Sequence, residues 1–519
     1  MSADAGEPEV VLRLNAITRR FGSLIANDAI SLELRRGEIV ALLGENGAGK
    51  TTLMNILFGH YVADAGDIEA FGKPLPPGEP RAAIAAGIGM VHQHFTLADN
   101  LTVLDNIILG TESLWRVTSD RGRARRRIAE LSRAFGLAVD PDATVGALAV
   151  GERQRVEILK ALYRDARILI LDEPTAVLTP QESTALFDTL RRLVSDGLSI
   201  IFISHKLYEV MAVSGRVLVL RQGKLVAERD TANTTRQELA ELMVGRPVPE
   251  PKPEPQAPGA PLMALRRVTV RAPGRHPLID VDLELRSGQI LALAGVSGNG
   301  QNTLADLLAG LLPVAAGTLV MGTEDGVRLD SRRAVAAGIG RIPEDRLHQG
   351  LVADMSVEEN VIAERYHQRA FSRGGFLDWP AARRFAETII RDYDVKCPHP
   401  GAVVRLLSGG NQQKLLLGRV LTADPSIIVA NQPTRGLDIG AIGYVHARLI
   451  AARRAGAAVL LISEDLDEIM SLADVIAVAY RGRISPPLPR AAVTVRALGE
   501  LMAGHGFELQ AAGKEADAA

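Results

Sequence analysis

Cysteine is almost absent from this chain: Cys397 is the only one among 519 residues. A single thiol cannot form a disulfide within the chain, so a disulfide-stabilised secreted fold is excluded and a reducing compartment fits the composition. Without a partner thiol, Cys397 is best explained as a small buried hydrophobic residue with no chemistry of its own.

Long hydrophobic runs are missing as well. No stretch approaches the roughly 18 uninterrupted apolar residues that a membrane-spanning helix requires. The segment Met1 to Glu9 is polar and acidic, which is unlike a secretory signal. We therefore expect any membrane role of this chain to depend on a partner.

An excess of charge of either sign is also lacking, because 59 Lys and Arg residues face 61 Asp and Glu residues, for a net charge of -2. Such a balance argues against a polyanion-binding protein. Five arginines do cluster between Arg121 and Arg127, and they are better explained as the solvated face of a helix than as a nucleic-acid patch. The length allows about two to four globular domains.

Glycine, in contrast, is concentrated in one informative segment. Gly44 to Thr51 reads GENGAGKT, between the apolar run Ile39 to Leu43 and a helix predicted over Thr52 to Phe58. A strand, a glycine-rich turn and a helix predict a phosphate-binding loop, because glycines let backbone N–H groups converge on phosphate oxygens. The helix N-terminus adds positive potential. Lys50 would contact the β- and γ-phosphates, and Thr51 would offer a hydroxyl to Mg²⁺.

Polar residues follow two further apolar runs that predict buried parallel strands. Asp172 and Glu173 come after a strand predicted to end at Leu171, and His205 follows the next one. Ligands bind at the carboxyl ends of such strands. Asp172 would hold the Mg²⁺ shell, and Glu173 would orient and polarise an attacking water. His205 could contact a γ-phosphate, although on its own it is better explained as a structural histidine.

Two other candidates are ambiguous from their pattern alone. Gln93 could coordinate Mg²⁺ or orient water, but most glutamines are simply solvated. Phe21 lies 23 positions before Gly44 (44 − 21) and could either stack on an adenine ring or belong to the core.

A proline-rich segment divides the chain, and the pattern then starts again. Arg246 to Pro261 reads RPVPEPKPEPQAPGAP, which is typical of a semi-rigid extended linker. Gly295 repeats Gly44 at an offset of 251 (295 − 44), whereas Leu407 repeats Leu148 at an offset of 259 (407 − 148). Two constant offsets indicate one duplicated fold, with about eight residues inserted between Gly340 and Leu407.

These motifs together resemble the ATP-binding subunits of ABC transporters, from about Val10 to Gly506. The resemblance rests on the phosphate-binding loop, the loop glutamine, the acidic pair, the switch histidine and the signature sequences at 148–152 and 407–411. It implies an α/β fold of two tandem P-loop NTPase domains, each with a mostly parallel core sheet, an antiparallel β subdomain and a helical subdomain. We expect a flexible N-terminus at 1–9, domains at 10–246 and 262–506, a linker at 247–261 and a flexible tail at 507–519.

In that family two such domains pair head to tail, so that each ATP lies between the P-loop of one domain and the signature helix of the other. The resemblance therefore implies a site shared by both halves, in which a helix expected from Gln412 to Leu421 directs its N-terminus at the γ-phosphate. The implied catalytic residues are Glu173, His205 and Gln93. The implied metal-binding residues are Thr51, Gln93 and Asp172. The implied ATP-binding residues are Phe21, Gly44, Glu45, Asn46, Gly47, Ala48, Gly49, Lys50, Thr51, Thr52, Ser408, Gly409, Gly410 and Asn411.

The second site departs from the family pattern at each of the polar or charged positions that the resemblance assigns to ATP binding or hydrolysis. The substitutions are Gln301 for lysine, Asn302 for threonine, Asn431 and Gln432 for the acidic pair, Glu344 for the loop glutamine, Glu464 for the switch histidine, and Ala149 and Val150 in the opposing signature. An amide neither supplies the charge of lysine nor ligates Mg²⁺ as an anion does. Because all losses fall on one side of the expected pairing, we predict one hydrolytic site and one silent site per chain.

Fused halves with these features resemble importer subunits for monosaccharides and nucleosides, and the stretches 89–95, 156–163, 342–346 and 431–438 look most like the nucleoside branch. The resemblance implies an ATP-hydrolysing, energy-coupling subunit that uses ATP and Mg²⁺. It also implies two integral-membrane permease subunits docked beside Gln93 and Glu344, an extracytoplasmic substrate-binding protein, no nucleic acid, and a peripheral location on the cytoplasmic face of the inner membrane.

Two other functions are weighed against this one. The first is a soluble twin-cassette ATPase acting on ribosomes or DNA, but such proteins usually keep both sites whole and carry a long charged linker. The second is a non-hydrolysing ATP sensor, which conflicts with the intact Glu173 and His205.

Overall fold

The computed structural model describes residues 9–92, 95–111, 120–175, 178, 180–247, 253–505 and 507. Gln93 and nearly all of both predicted flexible ends lie outside these residues. The chain divides into two compact units, residues 1–248 and 249–519, called unit 1 and unit 2 below.

Unit 1 combines a parallel core sheet with a smaller antiparallel sheet. Its strands are β1 (Val10–Phe21), β2 (Leu24–Arg35), β3 (Ile39–Gly44), β4 (Ala65–Ala70), β5 (Lys73–Pro74), β6 (Ile88–Val91), β7 (Ile168–Asp172), β8 (Ser199–Ser204), β9 (Arg216–Arg221) and β10 (Lys224–Asp230). Its helices are α1 (Lys50–Phe58), α2 (Pro80–Ala85), α3 (Val103–Ile108), α4 (Arg121–Phe135), α5 (Val150–Tyr163), α6 (Pro180–Ser195), α7 (Leu207–Val213) and α8 (Arg236–Val244).

The core sheet of unit 1 has the strand order β10-β9-β3-β8-β7-β6, in which only β10 runs antiparallel to its neighbour. Every residue of β3, β7 and β8 is buried, as expected for parallel strands covered on both faces. The pairings Leu43 with Ser204 and Asp172 with Ile203 bring the ends of these three strands to one edge of the sheet. This edge therefore carries the phosphate-binding loop, the acidic pair and His205.

Alternation along β7 divides the core of unit 1 into two layers. Ile168 and Ile170 pack toward the antiparallel sheet, which has the order β2-β1-β4-β5, and toward α1. Leu169 and Leu171 pack on the opposite face against α3, α4, α5 and α6. The resulting helical layer carries the signature sequence at the start of α5.

Unit 2 repeats this architecture. Its strands are β11 (Pro261–Val270), β12 (Leu278–Arg286), β13 (Ile290–Ala294), β14 (Ala316–Met321), β15 (Ile339–Ile342), β16 (Ser372–Arg373), β17 (Phe376–Leu377), β18 (Ile427–Asn431), β19 (Ala458–Ser463), β20 (Val475–Tyr480), β21 (Arg483–Ile484) and β22 (Leu488–Pro489). Its helices are α9 (Gln301–Leu308), α10 (Ser331–Ala336), α11 (Val357–Ile362), α12 (Trp379–Asp392), α13 (Gly409–Leu421), α14 (Ile439–Arg454), α15 (Leu466–Leu472) and α16 (Val495–Met502). The core order is β15-β18-β19-β13-β20-β21, with β22 also paired to β20, beside the antiparallel set β12-β11-β14.

The extra residues of unit 2 enter the helical layer in steps. The offset between matching elements is 254 at α11 (357 − 103) and 258 at α12 (379 − 121). The first step coincides with a π-helical turn, Arg346–Gly350, and the second with the hairpin β16–β17. The full offset of 259 is reached at a 3-10 turn (404 − 145).

The predicted start of the second signature helix is wrong by three residues, since α13 begins at Gly409 rather than at Gln412. Ser408 is its extended N-cap residue. Both glycines of the signature therefore lie in the first turn of the helix, where backbone N–H groups have no intrahelical partner. The helix after the phosphate-binding loop likewise begins at Lys50 rather than at Thr52.

Candidate functional site

The phosphate-binding loop of unit 1 has a backbone that depends on glycine. Gly47 and Gly49 have φ angles of 82° and 99°, in the left-handed region. A Cβ on Gly49 would lie 2.2 Å from the carbonyl oxygen of Ala26, so no other residue fits without displacing β2. The side chain of Asn27 fixes the loop by donating to the Gly49 carbonyl at 3.1 Å.

Lys50 is the buried cation of this loop, with 6% of its surface exposed. Its Nζ donates to the carbonyl oxygens of Gly44 at 2.6 Å and Glu45 at 3.0 Å. Burial lowers the pKa of Lys50, while the carboxylates of Glu173, Asp172 and Glu45 oppose that shift. Both Nζ contacts are to neutral carbonyl oxygens, so an ammonium group placed here gains from an approaching phosphate.

Thr51 and Asp172 form an oxygen pair beside Lys50. Burial, and then the charge of Glu173, raise the pKa of the Asp172 carboxyl, whereas Lys50 and a hydrogen bond from Thr51 oppose the rise. A hydroxyl and a desolvated carboxylate are donors that suit Mg²⁺, which usually binds one or two carboxylates together with substrate phosphates. Within the described part of the chain no group of three or more His, Cys, Asp or Glu side chains could hold a metal ion.

Glu173 and His205 form a hydrogen-bonded pair at the same edge, with Oε1 and Nδ1 2.9 Å apart. Burial alone would raise the pKa of Glu173, but His205, Lys50 and Lys206 outweigh it and hold that pKa below its ordinary value. The backbone of Glu173 is left-handed, at φ 46°, and its N–H donates to the Ile203 carbonyl at 3.0 Å. These contacts favour the ionised form of the carboxylate and fix its direction, an arrangement that suits a general base for water.

Glu209 is a functional candidate that the sequence interpretation missed. This fully buried carboxylate accepts hydrogen bonds from Thr175 Oγ1 at 2.5 Å and Ser204 Oγ at 2.8 Å. Thr175 lies in the loop of Glu173, and Ser204 is the last residue of β8, directly before His205, so Glu209 connects the segments that carry the two side chains. The same three residue types recur 259 positions later, which is the signal that could have revealed them.

The unit 2 counterpart of Glu209 is Glu468, and it makes the same contacts. Its carboxylate accepts from Thr434 Oγ1 at 2.9 Å and Ser463 Oγ at 2.6 Å. We call this carboxylate with its two hydroxyl partners the Glu209 clamp in unit 1 and the Glu468 clamp in unit 2. The clamp is retained in unit 2 although the neighbouring residues, Gln432 and Glu464, differ from those of unit 1.

Phe21 lies at the end of β1 with 41% of its surface exposed. Its ring is 5.7 Å from that of Tyr61 in an edge contact, and the guanidinium of Arg19 lies 4.9 Å from its centroid. The core alternative for Phe21 is therefore wrong, and adenine stacking stays a prediction. The matching position in unit 2 is Ala272, at the offset of 251 (272 − 21), which has no ring to stack.

The two signature helices differ in the charge at their N-termini. Helix α13 has no acidic residue in its first turn, and Asn411 Nδ2 donates to Ser408 Oγ at 2.8 Å. The side-chain oxygen Oδ1 of Asn411 in turn accepts from the backbone N–H of Lys396 at 2.8 Å, which fixes the orientation of the side-chain amide. Because Ser408 Oγ already accepts a hydrogen bond, its own proton can be donated to an incoming anion.

Helix α5, in contrast, has an acidic residue in its first turn and a second carboxylate close to it. Glu152 in its first turn accepts from the Ala149 N–H at 2.9 Å, and a Cβ on Gly151 would lie 2.7 Å from the carboxylate of Glu182. These two negative charges stabilise the helix end but repel a phosphate. The first turn of α13, which has no acidic residue of its own, is therefore better suited to an anion than that of α5.

The loop of unit 2 forms internal hydrogen bonds where unit 1 has a cation. Gln301 Nε2 donates to the Val296 carbonyl at 2.9 Å, and its Oε1 accepts from the Asn299 N–H at 3.1 Å. The amide therefore occupies the position of lysine without its charge, and its oxygen uses a backbone donor of the loop. This geometry disfavours phosphate binding.

A second set of contacts occupies the position that corresponds to Thr51 and Asp172. Asn431 Nδ2 donates to Asn302 Oδ1 at 2.6 Å, and Asn302 Nδ2 donates to Glu344 Oε2 at 3.0 Å. Glu344 is also paired with Arg435. Gln432 keeps a left-handed φ of 50°, so the backbone shape of the site persists although its charges are lost.

The structure thus brings Lys50, Thr51, Asp172, Glu173 and His205 to one edge of unit 1. Gln93 lies outside the described residues. The predicted signature residues, Ser408 to Asn411, lie in unit 2 and are described there by themselves.

A family model described as ABC transporter matches residues 27–176 and 278–435, which is more than half of the chain. The chain therefore belongs to the ABC transporter family, and it is an ATP-binding protein and ATPase of that family. Both units have the α/β fold expected from the resemblance. Among the described residues no helix is long and apolar enough to cross a membrane.

Individual relatives extend this similarity to nearly the whole chain. The nucleoside import ATP-binding protein NupA of Lactococcus lactis subsp. cremoris (strain MG1363) is 43% identical over 498 residues, covering 96% of this chain and 98% of that protein. The glucose import ATP-binding protein TsgD13 of Haloferax volcanii is 44% identical over 508 residues, covering 92% of each. The archaeal ribosome recycling factor aABCE1, solved in complex with the stalk protein aP1, has a TM-score of 0.64 over 95% of this chain and 92% of the solved one, but only 18% identity. That last similarity shows the fold alone.

The positioning role of Glu209 can be tested by comparison with Glu468, the equivalent residue of unit 2. We expect Glu209→Gln to lower kcat by about 10-fold or more, because a buried carboxamide cannot accept from both hydroxyls and the Glu173–His205 pair loosens. The measurement is steady-state ATP hydrolysis beside thermal unfolding. Glu468→Gln is the matched control, since it disturbs the same contacts in unit 2. Equal losses of kcat from the two variants would contradict the positioning role.

The pH dependence of hydrolysis tests the pKa of Glu173. With Glu173 as the general base, we expect activity to be lost as pH falls through its pKa. His205→Ala removes a hydrogen bond and a charge that lower this pKa while burial remains, so the acidic limb of kcat should move to higher pH. Glu464→Ala, at the matching position of unit 2, should leave the limb in place. An unmoved limb in His205→Ala would refute this account of Glu173.

Proposed function

We propose that this chain is the ATP-hydrolysing, energy-coupling subunit of an ABC import system for nucleosides or simple sugars. The observation that carries the proposal is the cluster of Lys50, Thr51, Asp172, Glu173 and His205 in unit 1. The corresponding positions of unit 2 hold amide and acidic residues instead. The names of the relatives, which include a nucleoside and a glucose import ATP-binding protein, support the import role. We propose ATP-binding domains over 10–246 and 262–506, joined by a linker at 247–261.

The residues of unit 1 have separate roles in this proposal. Lys50 and the backbone of Gly44 to Gly49 bind the β- and γ-phosphates, and Phe21 stacks on adenine. Thr51, Asp172 and Gln93 hold Mg²⁺, which supplies positive charge to the phosphates when bound. Glu173 accepts a proton from the attacking water, and His205 keeps Glu173 ionised and directed.

We further propose that the signature of unit 2 completes this site in the ATP-bound state. Ser408 donates from its hydroxyl to the γ-phosphate, and the first-turn N–H groups of α13 add positive potential. The support comes from the first turns of the two helices, since α13 has no acidic residue there and α5 has Glu152. Such closure of two domains around ATP is a known way to drive a coupled conformational change.

The partners in this proposal are two integral-membrane permease subunits and an extracytoplasmic substrate-binding protein. The chain then lies peripherally on the cytoplasmic face of the membrane, held through the permease, and uses no nucleic acid. The near-neutral charge of the whole sequence supports the absence of a nucleic-acid partner.

A soluble twin-cassette ATPase that acts on ribosomes is the second candidate. Its support is the similarity of fold to the archaeal recycling factor over 95% of the chain. The identity of 18% carries fold only, and the unit 2 amides at the positions of Lys50 and Asp172 disfavour a protein that needs two active sites.

The single hydrolytic site predicts unequal effects of matched substitutions. We expect Glu173→Gln to lower kcat by about 100-fold or more while ATP binding persists, because the base is lost but the phosphate ligands remain. Gln432→Ala, at the equivalent position of unit 2, should keep most hydrolysis. The measurements are steady-state turnover and equilibrium binding of ATP. Equal losses would refute the one-site account.

The signature contacts predict a second asymmetry. Ser408→Ala should lower kcat by about 10- to 100-fold through loss of one donor to the transferring phosphoryl group. Ala149→Ser restores a hydroxyl opposite the silent site and should raise turnover by less than about 2-fold. A gain from Ala149→Ser as large as the loss from Ser408→Ala would mean that both sites hydrolyse ATP.

Fractionation tests the location of the chain. When it is expressed with the genes beside it, we expect the chain to sediment with membranes and to co-purify with a multispanning permease. Its recovery with ribosomes in the same gradient would favour the second candidate.

A further inference from the structure

The hairpin β16–β17 carries exposed apolar side chains in unit 2. Its strands pair Arg373 with Phe376 across a turn formed by Gly374 and Gly375, whose φ angles are 59° and 86°. Positive φ at both central residues is characteristic of the type I′ turn that two-residue hairpins prefer. Residues 373–377 are all exposed, and Phe376 has 81% of its surface exposed. The hairpin therefore projects from unit 2 with an aromatic ring at its tip.

Three more apolar side chains lie exposed in the same segment. Leu377 follows Phe376 in β17, Trp379 begins α12, and Tyr366 precedes the hairpin. Single exposed apolar residues are common on a protein surface, whereas a group of large ones in one segment marks an interaction site. We call Tyr366, Phe376, Leu377 and Trp379 together the hairpin surface.

The base of the hairpin is fixed in the core of unit 2. Phe371, directly before β16, is buried, and its ring lies 5.2 Å from that of Phe385 in α12. The backbone N–H of Asp378 donates to the Phe371 carbonyl at 2.8 Å and closes the segment behind the hairpin. The exposed side chains therefore stand on a preformed element, so that little conformational entropy is lost when they bind.

The exposed charges of this segment are positive. Its two carboxylates, within residues 363–379, are engaged inside unit 2. Glu364 forms an ion pair of 3.2 Å with a buried arginine of α13, and Asp378 caps α12 by accepting from a backbone N–H at 3.0 Å. Arg369 and Arg373 are exposed, and neither forms an ion pair with a residue that the structure describes. The hairpin surface is thus accompanied by two cations that lack an acidic partner.

This combination of side chains fits the headgroup layer of an anionic membrane. Tryptophan and tyrosine are enriched where lipid headgroups meet acyl chains, and a guanidinium group matches phosphate in shape and charge. A projecting apolar tip can enter this fluid layer without a matching pocket. Hot spots of protein interfaces, in contrast, lie in well-packed pockets within a ring of neighbouring contacts.

We propose that the hairpin surface binds anionic phospholipid, with Phe376 and Leu377 at the boundary of the acyl chains and Arg369 and Arg373 on the lipid phosphates. The proposal rests on the proposed function, which puts the chain at a membrane surface. Stable anchoring to a membrane takes two signals. The hairpin contact is therefore weak and reversible by itself, and it supplements the hold of the permease.

Vesicle binding by the full-length chain tests this contact. We expect the chain to sediment with vesicles of equimolar phosphatidylcholine and phosphatidylglycerol, and much less with phosphatidylcholine alone. Phe376→Ser should lower the partition coefficient by about 10-fold or more, because an apolar ring no longer leaves water. Arg373→Ala should lower it by about 5-fold, which is the contribution of one cation near an anionic surface.

The control variants change exposed residues outside the hairpin surface. Leu311 follows α9, which packs into a core cluster separate from that of Phe371, and Arg496 lies in α16. Leu311→Ser and Arg496→Ala should bind vesicles as wild type does. Phe376→Tyr keeps a ring and should retain most of the binding, and thermal unfolding of each variant monitors its fold. Absence of wild-type binding, or equal binding by Phe376→Ser and Leu311→Ser, would overturn the proposal.

Tryptophan fluorescence locates the contact on the chain. Trp115 and Trp379 are the two tryptophans of the sequence, so Trp115→Phe leaves Trp379 as the single reporter. Its emission should shift to shorter wavelength on anionic vesicles and be quenched by brominated acyl chains. Emission that stays unchanged while the chain is bound would place the contact elsewhere and contradict the role of the hairpin.

Photo-crosslinking from position 376 distinguishes lipid from protein in the native membrane. Labelling of phospholipid supports the proposal, whereas labelling of a permease or another protein alone would identify a protein contact and overturn it. The function on which the proposal rests fails differently. Co-purification with a permease without vesicle binding would remove the hairpin contact and leave the proposed function intact. Vesicle binding by a chain that co-purifies with no permease would contradict the proposed function and retain the hairpin contact.

Discussion

Charge buried at the carboxyl edge of a parallel sheet is the constraint on which the rest of this structure depends. Lys50, Asp172 and Glu173 lie within one largely buried cluster, in which burial and neighbouring charges shift the pKa of each group. Such a cluster is costly unless every group is paired, so the backbone around it is tightly specified. The left-handed residues Gly47 and Gly49 shape the loop, and the left-handed backbone of Glu173 sets the direction of its carboxylate. Glu209 holds the neighbouring Thr175 and Ser204 by hydrogen bonds. The chemistry of the site follows from the directions that these contacts impose.

Unit 2 shows which of these features belong to the fold and which to the chemistry. It keeps the left-handed residue at Gln432 and the clamp at Glu468, because both hold the strand ends together. It lacks the ammonium group and the two carboxylates of unit 1, and amides fill their places, two of them with hydrogen bonds of their own. The duplicated fold therefore persists without these charged groups, while the first turn of α13 has no acidic residue.

Much of the fold could be predicted from the sequence, because fully apolar strands, glycine-rich turns and a constant repeat offset are local patterns. The grouping of Lys50, Asp172 and His205 followed from the rule that parallel strands present their ends at one edge. The start of α13 was missed because Gly409 and Gly410, which have low helix propensity, form its first turn. Glu209 was missed for a different reason: its partners Thr175 and Ser204 lie on other elements, and a buried acid is recognised only once those elements are packed.

The most direct test of the central claim is to count the nucleotides that one chain occludes when hydrolysis is arrested. Radiolabelled ATP with Mg²⁺ and orthovanadate traps ADP, and a photoreactive adenine analogue then marks the unit that holds it, after cleavage between the units. We predict one trapped nucleotide per chain, with the label on residues 1–248. Two nucleotides per chain, or a label on residues 249–519, would contradict the account.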